Sequence, residues 1–230
     1  VHFNSKLLFQ KYAKHLFKSN MRVLEIGPNS HPSDFQAILN DASIKWETLD
    51  IFQSEKLTYV AENEYSFPIP DNSFDIVISA QVIEHVREIW TWMKELSRVC
   101  KVNGFVITIN PVSYPYHEAP VDCWRIYPEG MKALYSQAGL DCQLSVTETL
   151  EVDPSQYIVF GEHRVPLGTY DSYRQTFFKK IIGKPVLVPG VSIDKSGYKQ
   201  LIKRFLGMPV QCSVDTITIG IKDQEKIKDI

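Results

Sequence analysis

The chain has 230 residues, 44% of them hydrophobic and 23% charged, with a formal net charge of −2. That length and balance suit one packed α/β domain with an elaboration, and they argue against wholesale disorder and against a general pull toward nucleic acid or anionic membrane. No apolar run approaches the roughly 20 residues of a membrane span. Lys6, Lys11, Lys14 and Lys18 break up every apolar stretch at the N-terminus, so no signal peptide is expected.

Residues 3–19 recur at helical spacing, with Phe3, Leu7, Leu8, Tyr12, Leu16 and Phe17 apolar, and Asn20 is a natural stop. Arg22–Ile26 then reads as a short apolar strand ending at Gly27-Pro28. A helix follows from Pro32 with Phe35, Ile38 and Leu39 inward. Ile44–Asp50 alternates as a second strand, and a third, weaker one falls at 57–60. The turn Pro70-Asp71-Asn72-Ser73 delivers a buried strand at Phe74–Ala80. A helix over 86–101 carries Val86, Ile89, Trp90, Met93, Leu96 and Cys100 on one side, and Asn103-Gly104 is expected to close it. Phe105–Asn110 is the next strand, and Pro128 to Gly139 is a helix with Pro at its start and Gly at its end. Strands follow at 141–149 and 213–221. This alternation predicts an α/β fold of the Rossmann-like, doubly wound kind, with a mostly parallel seven-stranded sheet and an insertion between its last two strands. The expected divisions are an N-terminal helix at 1–20, a core at 21–150, an insertion at 151–210, and the final strand and tail at 211–230.

The insertion has its own character. Residues 153–209 hold nine basic and four acidic residues, +5 in all, which leaves −7 for the remainder of the chain. Two amphipathic pieces are expected there, near 171–182 and 196–206. The four cysteines, Cys100, Cys123, Cys142 and Cys212, form no C-x-x-C pair. They suggest reduced thiols in a cytoplasmic protein rather than a zinc site or a disulfide framework, and no metal site is expected.

Three segments point to chemistry. In Val23-Leu24-Glu25-Ile26-Gly27-Pro28-Asn29 an apolar strand ends in an acid, a spacer and a glycine. Ligands of doubly wound sheets bind at the carboxyl ends of strands, and Gly27 lets the backbone approach one. Asp50, at the end of the next strand, follows Gly27 at about the ~20-residue spacing seen in nucleotide-binding βαβ units, where a carboxylate accepts the ribose hydroxyls. The third is Pro68-Ile69-Pro70-Asp71-Asn72-Ser73-Phe74-Asp75, followed by Gln81-Val82-Ile83-Glu84-His85.

Together these motifs resemble the class I S-adenosylmethionine (SAM) dependent methyltransferases, in particular the type 11-like small-molecule branch typified by ubiquinone and menaquinone C-methylases. The matching positions are Glu25, Gly27, Asp50, Pro68, Pro70, Asp71, Ser73, Phe74, Asp75, Glu84 and His85, with Leu96–Gly104 similar to that family's L-x-R-V-L-K-P-G-G. The resemblance covers roughly residues 20–150. The family's second glycine is Asn29 here, a residue type that tolerates left-handed backbone.

The resemblance implies SAM as cofactor. Glu25, Gly27 and Asn29 would line its methionine and ribose, Asp50 would hold the ribose hydroxyls, and Ile51 would pack on adenine. Asn63 or a near neighbour would face the adenine amino group, and Ala80 and Gln81 would close the pocket. Tyr116–Arg125 with Pro128-Glu129-Gly130 resembles a stretch of methyltransferases associated with bacterial sugar and cell-surface glycan pathways. It suggests a small-molecule acceptor met by Trp124 and Arg125. Equally, Trp124 packs on the core and Arg125 pairs with Asp122. His85, His117 and Asp122 are the candidates for acid–base work, since imidazole titrates near neutrality. A SAM-binding regulatory module and an RNA or protein methyltransferase are the competing readings. Nucleic acid is the less expected partner, and a homodimer contact is one use for the insertion.

Overall fold

The computed structural model describes residues 1–114, 116–118, 120–151, 157–160, 163–166 and 213–223. Its centre is a seven-stranded sheet. Strands β1 (Arg22–Ile26), β2 (Lys45–Asp50), β3 (Tyr59–Val60), β4 (Phe74–Ala80), β5 (Cys100–Ser113), β6 (Leu140–Glu148) and β9 (Val214–Lys222) stand in the order β3-β2-β1-β4-β5-β9-β6. Strands β1 to β5 pair in parallel, while β9 runs antiparallel between β5 and β6. A separate hairpin of β7 (Tyr157–Phe160) and β8 (His163–Pro166) lies in sequence between β6 and β9. The expected α/β sheet with its late insertion is therefore present, and the two amphipathic stretches at 171–182 and 196–206 lie outside the described residues.

Two apolar layers cover the sheet. One holds Leu24, Phe74, Trp92, Met93, Leu96 and Tyr135 and is supplied by α3 (Ile89–Val99) and α4 (Pro128–Gln137). The other holds Leu8, Phe9, Val23, Phe35, Ile76 and Ile107, and it draws on α2 (Asp34–Leu39) and the N-terminal segment. That segment is α1 (Phe3–Leu8), running on as a π-helical turn (Phe9–Ala13) and a 3₁₀ turn (Lys14–Leu16). Leu8, Phe9 and Ala13 are fully buried against the sheet, so residues 1–16 are part of the same core rather than an appendage.

Helix α3 departs from the expected face. It starts at Ile89 and ends at Val99, and the buried stripe is Ile89, Trp92, Met93, Leu96 and Val99, at i, i+3, i+4, i+7 and i+10. Trp92 therefore takes the core position expected of Trp90, and the half-exposed Trp90 packs edge-on against Trp124. Asn103-Gly104 does not cap this helix. The chain enters β5 directly at Cys100, and Asn103 (φ +63°) with Gly104 forms an irregularity inside the strand, where the register to β4 shifts.

The segments Pro68–Asp75 and Leu96–Gly104 act as one physical unit. The Arg98 guanidinium donates to the Phe67 and Ile69 carbonyls and pairs with Asp71 and Glu95, and Glu95 in turn accepts the Phe67 N–H. Asp75 accepts the Arg22 N–H at the start of β1 and pairs with Lys101. These residues hold the loop that feeds β4 and so fix where that strand ends.

Candidate functional site

The parallel registers align Ile26 of β1 with Leu49 of β2 and with Ser79 of β4. The residues just beyond, Gly27, Asp50 and Gln81, thus emerge side by side at the carboxyl edge of the sheet. They line a cleft of about 370 Å³ together with Ile51, Val82 and His85. That volume falls in the range of small-molecule sites.

Gly27 is required there twice over. Its φ is +67°, and a Cβ on it would sit 2.4 Å from Val82 Cγ2. Asp50 ends β2 with one carboxylate oxygen accepting the Phe52 N–H at 3.1 Å, which leaves acceptor capacity on both oxygens. Gln81, itself at φ +59°, lies where β4 leaves the sheet, and its Oε1 is buried without a hydrogen-bond partner. Ile51 lies along the cleft wall, partly buried against the core.

Other expected cofactor residues sit differently. The Glu25 carboxyl is 1% exposed, accepts the Trp46 indole N–H at 2.8 Å, and is pushed up to about 7 by burial. It is a partner of β2 rather than a negative charge in the cleft. Asn29 is exposed and bonds Asp34, and the left-handed conformation in this loop falls on Gly27. Asn63 is exposed and accepts the Tyr65 N–H, while its neighbour Glu64 lines the cleft. Ala80 is buried in the second apolar layer.

Beside the cleft, whose wall includes His85 and Pro120, the 3₁₀ turn Ile83–His85 meets the chain at Val121 and Cys123, the Cys123 N–H donating to the Glu84 carbonyl. His85 Nδ1 lies 2.5 Å from the Val121 carbonyl. A carbonyl can only accept, so the ring proton sits on Nδ1 and Nε2 carries the lone pair of the neutral ring. His117 stacks edge-on against His85 with centroids 4.9 Å apart, and its Nδ1 is 3.3 Å from Asp122. Asp122 is held down to about 2, first by the Arg125 guanidinium, which forks onto both its oxygens. An ionised Asp122 likewise keeps the His117 proton on Nδ1. Arg125 thus pairs with Asp122. Trp124 packs on the core and donates its indole N–H to the Val86 carbonyl at 2.8 Å. Both expected substrate residues therefore anchor the loop that presents His117.

Sequence reading missed Asp215, Ser5 and Asn4 as parts of this edge, and it gave Glu84 no role of its own. Glu84 is 1% exposed, and burial pushes its carboxyl up to about 8; neither of its oxygens has a hydrogen-bond partner. Asp215, fully buried on β9, accepts from Asn4, Ser5 and the Gln81 side-chain amide. Glu84 was visible only as part of a motif. Asp215 and the N-terminal pair have no local signal, because some 210 residues separate them.

The Rossmann-like sheet, which reads 3-2-1-4-5-7-6 by its own strands, has its cleft at the β1–β2–β4 edge, where doubly wound folds bind nucleotide cofactors. The comparisons with known proteins narrow the class. A family described as "Methyltransferase domain" matches residues 36–108. A protein of Mycobacteroides abscessus described as an uncharacterized methyltransferase is 36% identical over 55 residues, 24% of this chain and 21% of that protein. The matched stretch thus spans about a fifth of that relative's length. A methyltransferase of Haloferax volcanii, solved with the Trm112 methyltransferase activator, superposes with a TM-score of 0.54 at 14% identity, over 95% of this chain and 93% of that one. Phosphoethanolamine N-methyltransferase 2 of Haemonchus contortus, solved with S-adenosyl-L-methionine, gives 0.53 at 14% identity, over 96% and 53%. Residues 36–108 are thus similar to a methyltransferase domain, and the fold is one shared with solved methyltransferases. SAM is the cofactor that such methyltransferases use. The residues present fit it, since Gly27, where neither the backbone nor the space favours a side chain, and Asp50, with spare acceptor capacity, line one cleft. Among the described residues no helix is long and apolar enough to cross a membrane.

Proposed function

We propose that the protein transfers a methyl group from SAM to a hydroxyl of a small-molecule acceptor of the sugar or glycan-precursor type. The observation that carries this reading is a pair of imidazoles, His85 in the cleft wall and His117 packed edge-on against it, each with an acceptor at its Nδ1, Val121 O for His85 and Asp122 for His117. When bound, the cofactor supplies a methyl group already activated by its sulfonium. The chain's own part is to bind and to align. Asp50 takes the ribose hydroxyls, Gly27 allows the backbone to approach, Ile51 packs on the base with Glu64 in the position expected of Asn63, and Gln81 closes the pocket. His85 and His117 direct basic nitrogens at the acceptor oxygen and ease the loss of its proton. Asp122, Arg125 and Trp124 hold His117 and its loop in place, and in-line alignment in the closed site contributes the remainder. The basic insertion at 153–209 is assigned the role of a cover over the acceptor, drawn to the more acidic core by charge.

Incubation of the protein with methyl-labelled SAM and a cell extract tests the reading. Label is expected in a small-molecule fraction that survives nuclease and protease treatment. His117→Ala should lower that incorporation at least tenfold with SAM affinity within twofold of wild type. Label lost on nuclease or protease treatment would point to an RNA or protein acceptor. SAM binding with no label in any fraction would mark a regulatory module.

A further inference from the structure

The strongest unassigned feature adjoins the cleft at His85. A carboxylate oxygen of Glu84 and one ring nitrogen each of His85 and His117 lie within 4.8 Å of one another. Glu84 Oε1 is 3.8 Å from His85 Nε2. Glu84 is almost wholly buried, yet both its oxygens lack a hydrogen-bond partner. A buried carboxyl left unsatisfied is costly unless something occupies its lone pairs. We propose that Glu84, His85 and His117 form a binding site for one divalent transition-metal ion, open on the side that faces the cleft.

The surroundings are those of a ligand set. Metal-binding imidazoles donate the N–H of the other ring nitrogen to a carbonyl or carboxylate, which fixes the tautomer and aims the lone pair. His85 does this with the Val121 carbonyl, and His117 is placed to do it with Asp122. Asp122 is itself braced by Arg125. Two imidazoles and one carboxylate form a three-ligand set with coordination positions left for an outside oxygen. Imidazole donors favour ions of the zinc, iron, cobalt and nickel kind over magnesium or calcium.

His85 belongs to both the cleft wall and this cluster, so an ion held here would sit at the boundary between cofactor and acceptor. The inference rests on the reading of that side of the cleft as the acceptor's. It deepens that reading, because the imidazole lone pairs would then act on the acceptor oxygen through the ion. The acceptor class it implies is one with a hydroxyl, or two neighbouring hydroxyls, able to enter the open positions.

The test is a titration of chelator-treated protein with Co²⁺ alone, read by calorimetry and by the visible absorption of the ion, and repeated with Zn²⁺ by calorimetry. Wild type should bind one equivalent, with Co²⁺ absorption of a low-symmetry site with nitrogen and oxygen ligands. Glu84→Gln and His117→Ala should each weaken binding at least tenfold, and Asp122→Asn should do so by about 10- to 100-fold through the orientation of His117. Asp50→Ala should bind the ion as wild type while losing SAM affinity, so failure of the metal site and failure of the cofactor reading give different results. Thermal melts check folding. Should Glu84→Gln not fold, the partly exposed His117 carries the same test. Absence of binding at millimolar Co²⁺, or wild-type affinity in folded Glu84→Gln and His117→Ala proteins, would overturn the site.

Discussion

At Glu25 burial outweighs the hydrogen bonds that favour the charged carboxylate. The folded protein holds a proton on this carboxyl up to about pH 7, whereas an exposed glutamate releases it near 4.5. The folded state binds the proton more tightly than the unfolded chain, so stability from this site falls as pH rises from about 4.5 to about 7 and is level above. Glu25→Gln keeps the shape without the titration. In the ligand-free protein, its melting temperature relative to wild type should rise between pH 5 and pH 8, by the equivalent of at most about 3 kcal/mol. A constant difference across that range would show that Glu25 stays ionised. Gly27 makes a separate test. Ala there must hold a left-handed backbone, costing roughly 1–2 kcal/mol, and must displace Val82 from the cleft wall. SAM affinity should drop at least tenfold in Gly27→Ala by equilibrium dialysis, and unchanged affinity would remove Gly27 from the cofactor's path. Gly27 and Asp50 were legible in the sequence because strand ends and their spacing are local properties. The fate of the Glu25 carboxyl was not, since its partner Trp46 lies on the neighbouring strand.

At the level of elements, the α3–β5 junction shows where periodicity is ambiguous. The tryptophans at 90 and 92 both sit in an apolar helix, and only the start at Ile89 decides which one faces the sheet. Asn103-Gly104 has the composition of a helix stop but works as a strand irregularity. A Cβ on Gly104 would lie 2.8 Å from the Asp75 carbonyl oxygen, the Lys101 carbonyl oxygen and Cys100 Sγ. Two of those three atoms are backbone of paired strands and cannot turn away. Gly104→Ala should therefore destabilise the protein by about 1–3 kcal/mol, seen as a fall in melting temperature of about 2–4 °C per kcal/mol for a chain of this size. A melt equal to wild type would mean that β4 and β5 separate easily at this point, against the register that positions the site.

For the whole molecule, the parallel half of the sheet could be read from alternating strands and helices. The antiparallel placement of β9 between β5 and β6 could not, because strand direction is set by where the chain returns after the insertion. The same return brings Asp215 to Asn4, Ser5 and Gln81 and so ties the N-terminal segment to the cleft edge. The insertion role is tested by replacing 155–208 with a short Gly linker. The shortened protein should bind SAM and fail to methylate its native acceptor. Full-rate transfer without the insertion would end the cover assignment.

The central claim is that the Gly27–Asp50 edge of the sheet holds SAM, and calorimetric titration of SAM into wild type and Asp50→Ala tests it most directly. An ionic hydrogen bond to a hydroxyl is worth about 1.5–3 kcal/mol. The account predicts one-to-one binding by wild type and at least tenfold weaker binding by a folded Asp50→Ala protein. Equal affinity in the two, or no SAM binding by wild type, would contradict it.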